Sequence, residues 1–153
     1  MRKTFITVSL VVGLALLAGF LTSGSPALES PGTIRLTTRA VKQQFVDRVP
    51  RGRGAGDVLV KRILLYNKGI RPRAIGHGDV ICTYTTRHAR QCDATYTLPK
   101  GKIVVTGSYT FGQFHELAVV GGTGLYDNVR GTVTVTLLRR NPERDVLVFR
   151  LIV

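Results

Sequence analysis

From residue 32 onward, the chain consists of short apolar runs separated by turn residues at intervals of about ten positions. Residues 132–138, TVTVTLL, show the pattern most clearly, because threonine alternates there with valine or leucine. Such alternation sends one set of side chains into a core and the other set towards solvent. Seventeen glycines accompany many β-branched residues, a composition that favours strands joined by turns. The sequence therefore predicts an all-β domain.

Eight strands are predicted, joined mostly by short connections that favour antiparallel neighbours. They cover residues 34–46, 57–66, 74–86, 91–98, 103–109, 114–120, 132–138 and 146–153. Closing such a sheet into a barrel removes its exposed edges. We therefore expect an eight-stranded antiparallel β-barrel, whose interior is either filled by side chains or holds one small ligand.

Residues 1–27 have the layout of a secretory signal peptide. Arg2 and Lys3 precede an apolar run over residues 6–21, and Ser25-Pro26-Ala27 provides small residues for cleavage. This predicts an N-terminal signal helix and a secreted, extracellular protein. The alternative is an uncleaved apolar segment that anchors the chain in a membrane.

The remainder of the chain is predicted to be a single domain. Residues 28–54 would contain a linker and the first strand, and residues 55–153 would complete the same barrel. The length of 153 residues corresponds to about one domain.

Two cysteines, Cys82 and Cys92, stand ten residues apart in the stretch ICTYTTRHARQCDATY. In an exported protein such a pair is most often a disulfide. If the chain folds back around Arg87, the two cysteines lie opposite each other on one face of a hairpin. The same register places Tyr84 opposite Arg90 and Val80 opposite Ala94. A metal site is disfavoured, because neither a CxxC motif nor paired histidines accompany the cysteines.

The chain is strongly basic, with a net charge of +13 that would fall by two, to +11, on loss of residues 1–27. Such a charge fits nucleic acid, anionic lipid or an acidic cell wall. The basic residues are dispersed, however, and no recognition helix or basic aromatic sheet face is visible. We therefore expect no nucleic-acid partner and keep contact with an anionic cell surface as an alternative.

The stretch AVVGGTGLYDNVRG, residues 118–131, contains a cluster of glycines of the kind that begins many nucleotide-binding loops. A phosphate-binding loop needs a helix behind it, because the N–H groups of the helix N-terminus hold the anion. Here a strand follows instead. The predicted role of these glycines is structural, and the motif consists of Gly121, Gly122, Gly124 and Gly131. Leu125 and Tyr126 are expected to pack in the short connection.

This glycine motif resembles the signature of the allene oxide cyclase and dirigent superfamily. The similarity continues upstream in Gly56-Asp57, in residues 75–82 and in ATYTLPKGKIVVTG, residues 94–107. The resemblance implies an eight-stranded antiparallel barrel and relatives that form dimers or trimers. It also implies cyclisation of a fatty-acid allene oxide or guidance of phenolic intermediates.

The catalytic groups of the cyclases do not carry over to this sequence. Aligning their Asp-Arg pair on Asp47-Arg48 places Lys42 and Gln44 where the cyclases have a glutamate and an asparagine. Ile63 falls near their second-strand asparagine. No catalytic residue is therefore assigned. The candidate pocket-lining residues are Lys42, Gln44, Lys61, Ile63 and His77.

These observations predict a barrel that binds a small, partly apolar molecule or serves as a scaffold, with no cofactor and no metal. A homo-oligomer is possible by resemblance. The first alternative is an isomerase or cyclase that shapes a reactive lipid or secondary-metabolite intermediate, because such enzymes act largely by positioning and by excluding water. The second alternative is a basic protein that binds a cell surface or cell wall.

Overall fold

Eight strands appear in the part of the chain that the computed structural model describes, residues 32–48, 51–67 and 73–152. They are β1 (Gly32–Val46), β2 (Val58–Tyr66), β3 (Gly76–Tyr84), β4 (Ala89–Leu98), β5 (Gly101–Thr110), β6 (Phe114–Gly124), β7 (Arg130–Arg140) and β8 (Glu143–Ile152). Each strand pairs antiparallel with the next, and β1 pairs with β8 to close the barrel. The predicted fold is confirmed.

The predicted signal helix over residues 1–27 lies outside the described residues. Within the described ranges, no helix is long and apolar enough to cross a bilayer.

The alternating sequence pattern produces the core. In β7, Val133 is fully buried and Val135 nearly so, while the alternating threonines are partly exposed on the outer face. In β8, Leu147, Phe149 and Leu151 are buried in the same way. Inward side chains from seven strands form the main cluster inside the barrel, and Val80 of β3 packs against it. A second, smaller cluster consists of Leu59, Cys82, Tyr84 and Cys92.

The β3–β4 hairpin has the predicted register. Cys82 lies opposite Cys92, Tyr84 opposite Arg90, and Val80 opposite Ala94. The Cys82–Cys92 disulfide is present, and each cysteine is 1% exposed. The bridge therefore crosses two neighbouring strands on the inner face of the wall.

The glycine motif ends β6 and begins β7, and a turn follows Gly124 where a nucleotide-binding loop would have a helix. Gly124 has a φ of 65°, which favours glycine. A Cβ at Gly122 would overlap the carbonyl oxygens of Lys102 and Tyr126. Tyr126 is half-buried against the core, but Leu125 is 66% exposed, so the expected packing of Leu125 is wrong. The turn is held by backbone contacts, including the Leu125 N–H donated to the Lys100 carbonyl.

The connections divide between the two ends of the barrel. Four of them lie at one end, here called the mouth: residues 47–48 with 51–57, 85–88, 111–113 and 141–142. The opposite end, here called the base, carries the other connections, including the turns at 99–100 and 125–129.

Candidate functional site

The inward side chains change from apolar to ionisable between base and mouth. On β8 the buried Leu147 is followed, two and four residues nearer the mouth, by Asp145 and Glu143. On β2 the buried Ile63 is followed by Lys61. Alternate residues share a face, so these charged groups project into the same interior as the core.

A cavity of about 710 Å³ opens at the mouth. Its lining includes Arg53, Arg90, Tyr109, Phe111, His115 and Glu143. A smaller inner cavity of about 50 Å³ lies beneath it and shares several of these residues. Cavities that bind small molecules commonly measure about 300–1,000 Å³, and the mouth cavity falls within that range.

Arg90 lies among three aromatic rings of the mouth. Its guanidinium carbon is 4.9 Å from the ring centroid of Tyr109, 5.2 Å from that of Phe111 and 5.9 Å from that of Tyr84. Its Nε donates to the Tyr109 hydroxyl at 2.5 Å. Cation–π attraction and this hydrogen bond both hold the guanidinium in the cavity wall. The result is a fixed positive charge flanked by flat apolar surfaces.

His115 stacks on Tyr109, with ring centroids 3.6 Å apart and ring planes 5° from parallel. Burial lowers the pKa of His115 to about 4, and the positive charges of Arg90 and Lys61 act in the same direction. His115 is therefore a neutral imidazole near pH 7. Burial also raises the pKa of the Tyr109 phenol, so Tyr109 keeps its hydroxyl proton.

Two carboxyl groups of β8 occupy the boundary between the cavities. Lys61 Nζ lies 2.5 Å from Glu143 Oε1 and forms an ion pair with it. Asp145 is 6% exposed; its carboxyl accepts from the Thr38 hydroxyl at 3.3 Å, and its backbone N–H donates to the same hydroxyl at 3.0 Å. Burial raises the pKa of Asp145, an effect that the positive charge of Lys61 opposes. The site thus holds a buried carboxyl group, a neutral imidazole and an ion pair.

The structure separates the predicted pocket residues into two groups. Lys61 and Ile63 line the inner cavity. Lys42 and Gln44 are exposed on the outer face and do not line it. The cause is a register irregularity between Ala40 and Lys42, which shifts the alternation of β1 by one residue.

Beyond that irregularity, the odd-numbered residues of β1 face the mouth cavity. Gln43 lines the cavity, and the Phe45 ring makes an edge contact with Tyr84, at a centroid distance of 5.6 Å.

His77 also lies on the outer face, and it lines none of the cavities described here. Its Nε2 is 3.8 Å from a carboxylate oxygen of Asp79, which also forms an ion pair with Arg62. The neighbouring Gly76 and Gly78 occupy the inner-face positions of β3: a Cβ at Gly78 would come within 3.0 Å of the side chains of Ile63 and Tyr96. His77 therefore belongs to a surface charge cluster with Asp79 and Arg62.

Sequence reasoning missed five residues of the site: Arg90, Tyr109, His115, Glu143 and Asp145. The alternation of β8 does indicate the two acids. Stepping back two residues at a time from the buried Leu147 reaches Asp145 and then Glu143. The strand predicted over residues 146–153 excludes both acids. Strand alternation places His115 and its sequence neighbour Glu116 on opposite faces, and the partners of His115 come from other strands.

No group of three or more metal-ligating side chains occurs among the residues that the structure describes. The side chains that line the cavity can supply hydrogen bonds, charge, ring stacking and proton transfer.

No protein-family model and no curated protein matches the sequence. Solved structures do match. A pyocyanin demethylase has a TM-score of 0.68 and 22% identity, over 78% of this chain and 99% of that chain. A pterocarpan synthase dirigent protein has a TM-score of 0.63 and 14% identity, over 79% and 82%. An exo-specific intermolecular Diels–Alderase has a TM-score of 0.62 and 12% identity, over 78% and 98%.

At these identities the likeness concerns the fold. It agrees with the closed ring of eight antiparallel strands and with the resemblance found in the glycine motif. The chain has the barrel fold of dirigent proteins and Diels–Alderases, as its resemblance to the allene oxide cyclase and dirigent superfamily implied.

Proposed function

We propose that this barrel binds a flat, partly apolar and negatively charged small molecule in its mouth cavity. The observation that carries the proposal is the position of Arg90, whose guanidinium lies 4.9 to 5.9 Å from three aromatic rings that surround it. Aromatic walls favour a flat ligand, and a fixed guanidinium favours an anionic group on that ligand.

The charge distribution around the mouth supports an anionic ligand. Arg53, Arg139 and Arg140 also line the cavity, and none of them forms a salt bridge in the described part of the chain. Of the two lining acids, Glu143 is already paired with Lys61, and burial raises the pKa of Asp145. The excess of positive charge would attract an anion towards the opening.

The neighbouring structures support a ligand of this shape. One is named for pyocyanin, and another is described as a heme-binding cyclase. Pyocyanin and heme are both flat conjugated molecules. The barrel described here presents aromatic walls and a cavity of about 710 Å³ to such a ligand.

A pair of fluorescent probes tests the proposal. 8-Anilinonaphthalene-1-sulfonate and N-phenyl-1-naphthylamine share the same ring system, but only the first carries a sulfonate. We expect saturable binding of the sulfonate probe and weaker binding of the neutral probe. Arg90→Met should weaken binding of the sulfonate probe about tenfold, the order expected for loss of one charged hydrogen bond.

Arg35→Met is the matched control, because Arg35 is an exposed arginine of β1 outside the cavity. It should leave binding of both probes unchanged. Equal affinity of the two probes, or equal loss in the two arginine variants, would show that Arg90 recognises no anion. Absence of saturable binding of either probe would instead support the scaffold alternative.

Proton-transfer catalysis is the second candidate function, and the composition of the inner cavity favours it. Asp145 with its raised pKa, neutral His115 and Glu143 all line that cavity. A bound molecule reaching this point would meet a buried carboxyl group and a neutral imidazole, two groups that can exchange protons with it. This arrangement suits an isomerisation in which a proton leaves one carbon or oxygen and another is added elsewhere.

Phenylpyruvate provides a direct assay, because it is aromatic and anionic and its enol–keto conversion needs proton transfer alone. The barrel should accelerate the conversion. Asp145→Asn should lower the catalysed rate about 10²-fold, the low end for general acid–base catalysis. Unchanged sulfonate-probe affinity in Asp145→Asn would separate catalysis from binding. Acceleration that persists in Asp145→Asn would exclude Asp145 as the proton donor.

We further propose that residues 1–27 direct export and are then removed. The charged start and apolar run support this, as does the disulfide, since such bridges persist in oxidising compartments. Fractionation of expressing cells with mass spectrometry of the mature chain tests it. A chain found in the medium with its N-terminus near residue 28 is expected; a membrane-bound chain that retains Met1 would indicate the anchored alternative.

A further inference from the structure

The wall of the barrel changes where β5 and β6 approach the mouth. Their ladder ends at the pair Thr106 and Ala118. The ladders on either side continue, since β4 pairs with β5 as far as Thr110 and β6 pairs with β7 from Phe114. The facing edges of residues 107–110 and 114–117 therefore lie beyond the last ladder pair of β5 and β6.

A groove of about 450 Å³ lies along this unpaired section, called here the seam (residues 107–110 and 114–117). It contacts outward residues, among them Ser108 and Glu116, and also the inward residues Tyr109 and His115. Tyr109 and His115 line the mouth cavity and the inner cavity as well. The two rings thus stand where the groove and both cavities meet.

Continuing the ladder register past its last pair would place Tyr109 opposite His115 and Ser108 opposite Glu116. The two rings lie face to face at 3.6 Å, the thickness of one aromatic layer. A third flat ring fits between them only if their separation doubles. Elsewhere in the barrel that movement would break ladder hydrogen bonds, but none of the ladder pairs spans the seam.

We propose that Tyr109 and His115 form a clamp that opens along the seam and takes the ring of a flat ligand between its two faces. The inference rests on the proposed function and adds the ligand's position within the site. The ligand would stack on two ring faces, whereas Tyr109 and His115 would lose only their one contact with each other. Arg90, held against Tyr109, lies beside the clamp and can meet an anionic group on the same ligand.

A reversible staple across the seam tests the clamp. Ser108→Cys with Glu116→Cys places two thiols on the outer face, where a disulfide would hold β5 and β6 together without entering the cavity. The expected result is at least a tenfold loss of affinity for 8-anilinonaphthalene-1-sulfonate in the oxidised staple, restored by reduction. Wild type treated with the same reductant controls for the buried Cys82–Cys92 bridge.

The matched control shares one of the two substitutions. Glu116→Cys with Thr134→Cys staples β6 to β7, which are already paired at those residues. It should bind the sulfonate probe as wild type does. Wild-type affinity in the oxidised seam staple would overturn the clamp while leaving the mouth site intact. Failure of wild type itself to bind the probe would overturn both the clamp and the proposed function.

A second pair of variants decides the question if the staple does not form. His115→Leu removes the flat face, whereas His115→Phe keeps a ring at the same place. We expect at least tenfold weaker probe binding in His115→Leu than in His115→Phe. Equal affinities would show that the ligand does not use the ring face of His115.

Discussion

The base and the mouth of this barrel are built from the same eight strands but differ in what they place inside. Towards the base, the interior is a continuous apolar cluster that includes Phe149, Leu147 and Val133, all 1% exposed or less. Towards the mouth, the same inner face carries Lys61 and Asp145 beside open space. The base thus resembles an ordinary protein core, whereas the mouth resembles a binding site.

The contrast shows how one fold separates stability from recognition. Burying apolar side chains stabilises the closed barrel, and the buried apolar side chains are concentrated at the base. Burying charged groups costs free energy unless they are paired, and the mouth meets this requirement with the Lys61–Glu143 ion pair and the Thr38–Asp145 hydrogen bond. Substitutions in the two regions should therefore have different consequences.

The largest expected effect is on a base residue. Phe149→Ala should lower the free energy of unfolding by about 4 kcal/mol, because it leaves a cavity in a packed core. Phe111→Ala in the mouth should cost less than about 1 kcal/mol, since Phe111 is 39% exposed, yet it should weaken probe binding. Urea unfolding and probe titration measure both quantities. Similar stability losses in the two variants would contradict the division between base and mouth.

An intermediate effect is expected at the Cys82–Cys92 disulfide, which belongs to a small buried cluster under the mouth together with Leu59 and Tyr84. The double substitution Cys82→Ala and Cys92→Ala should cost about 3 kcal/mol, the chain-entropy value for a loop of about ten residues. Unfolding of the variant is compared with wild type under oxidising and reducing conditions. A difference that persists when both proteins are reduced would mean that packing, and not the cross-link, supplies the stability.

The third expected effect is a pH dependence that arises in the mouth. The pKa of His115 is about 4 when folded and has an ordinary value of 6.5. Between these values the unfolded chain binds a proton that the folded chain does not, so His115 makes stability fall as pH falls from 6.5 towards 4. His115→Phe should lose less stability over this interval in urea unfolding. His88→Gln, at an exposed loop position, is the control and should behave as wild type.

An equal loss of stability in wild type and His115→Phe over that interval would show that the imidazole stays accessible to protons in the folded state. The stacked pair of Tyr109 and His115 would then be open to solvent, and the mouth would be looser than its geometry indicates.

Local pattern was sufficient to predict much of the fold. The alternation in TVTVTLL predicted the inner and outer faces of β7, and the spacing of Cys82 and Cys92 predicted the register of their hairpin. The absence of a helical pattern after Gly124 predicted a turn and a strand there. Each of these features depends on neighbours within about ten residues, so the sequence carries them directly.

The candidate site was less predictable, because it depends on register and closure. One irregularity beside Ala40 turns Lys42 and Gln44 outward and brings Gln43 and Phe45 to the mouth. No residue type in β1 predicts that change of register.

The sequence by itself therefore determined the strands, their order along the chain, the disulfide hairpin and the structural character of the glycine turn. Only the tertiary structure decided which polar residues share a cavity. Thr38 and Asp145 stand 107 positions apart and meet because β1 closes on β8, while Arg90, Tyr109 and His115 meet across three strands. Side-chain alternation is a local property, whereas closure of a barrel brings together residues that no local pattern relates.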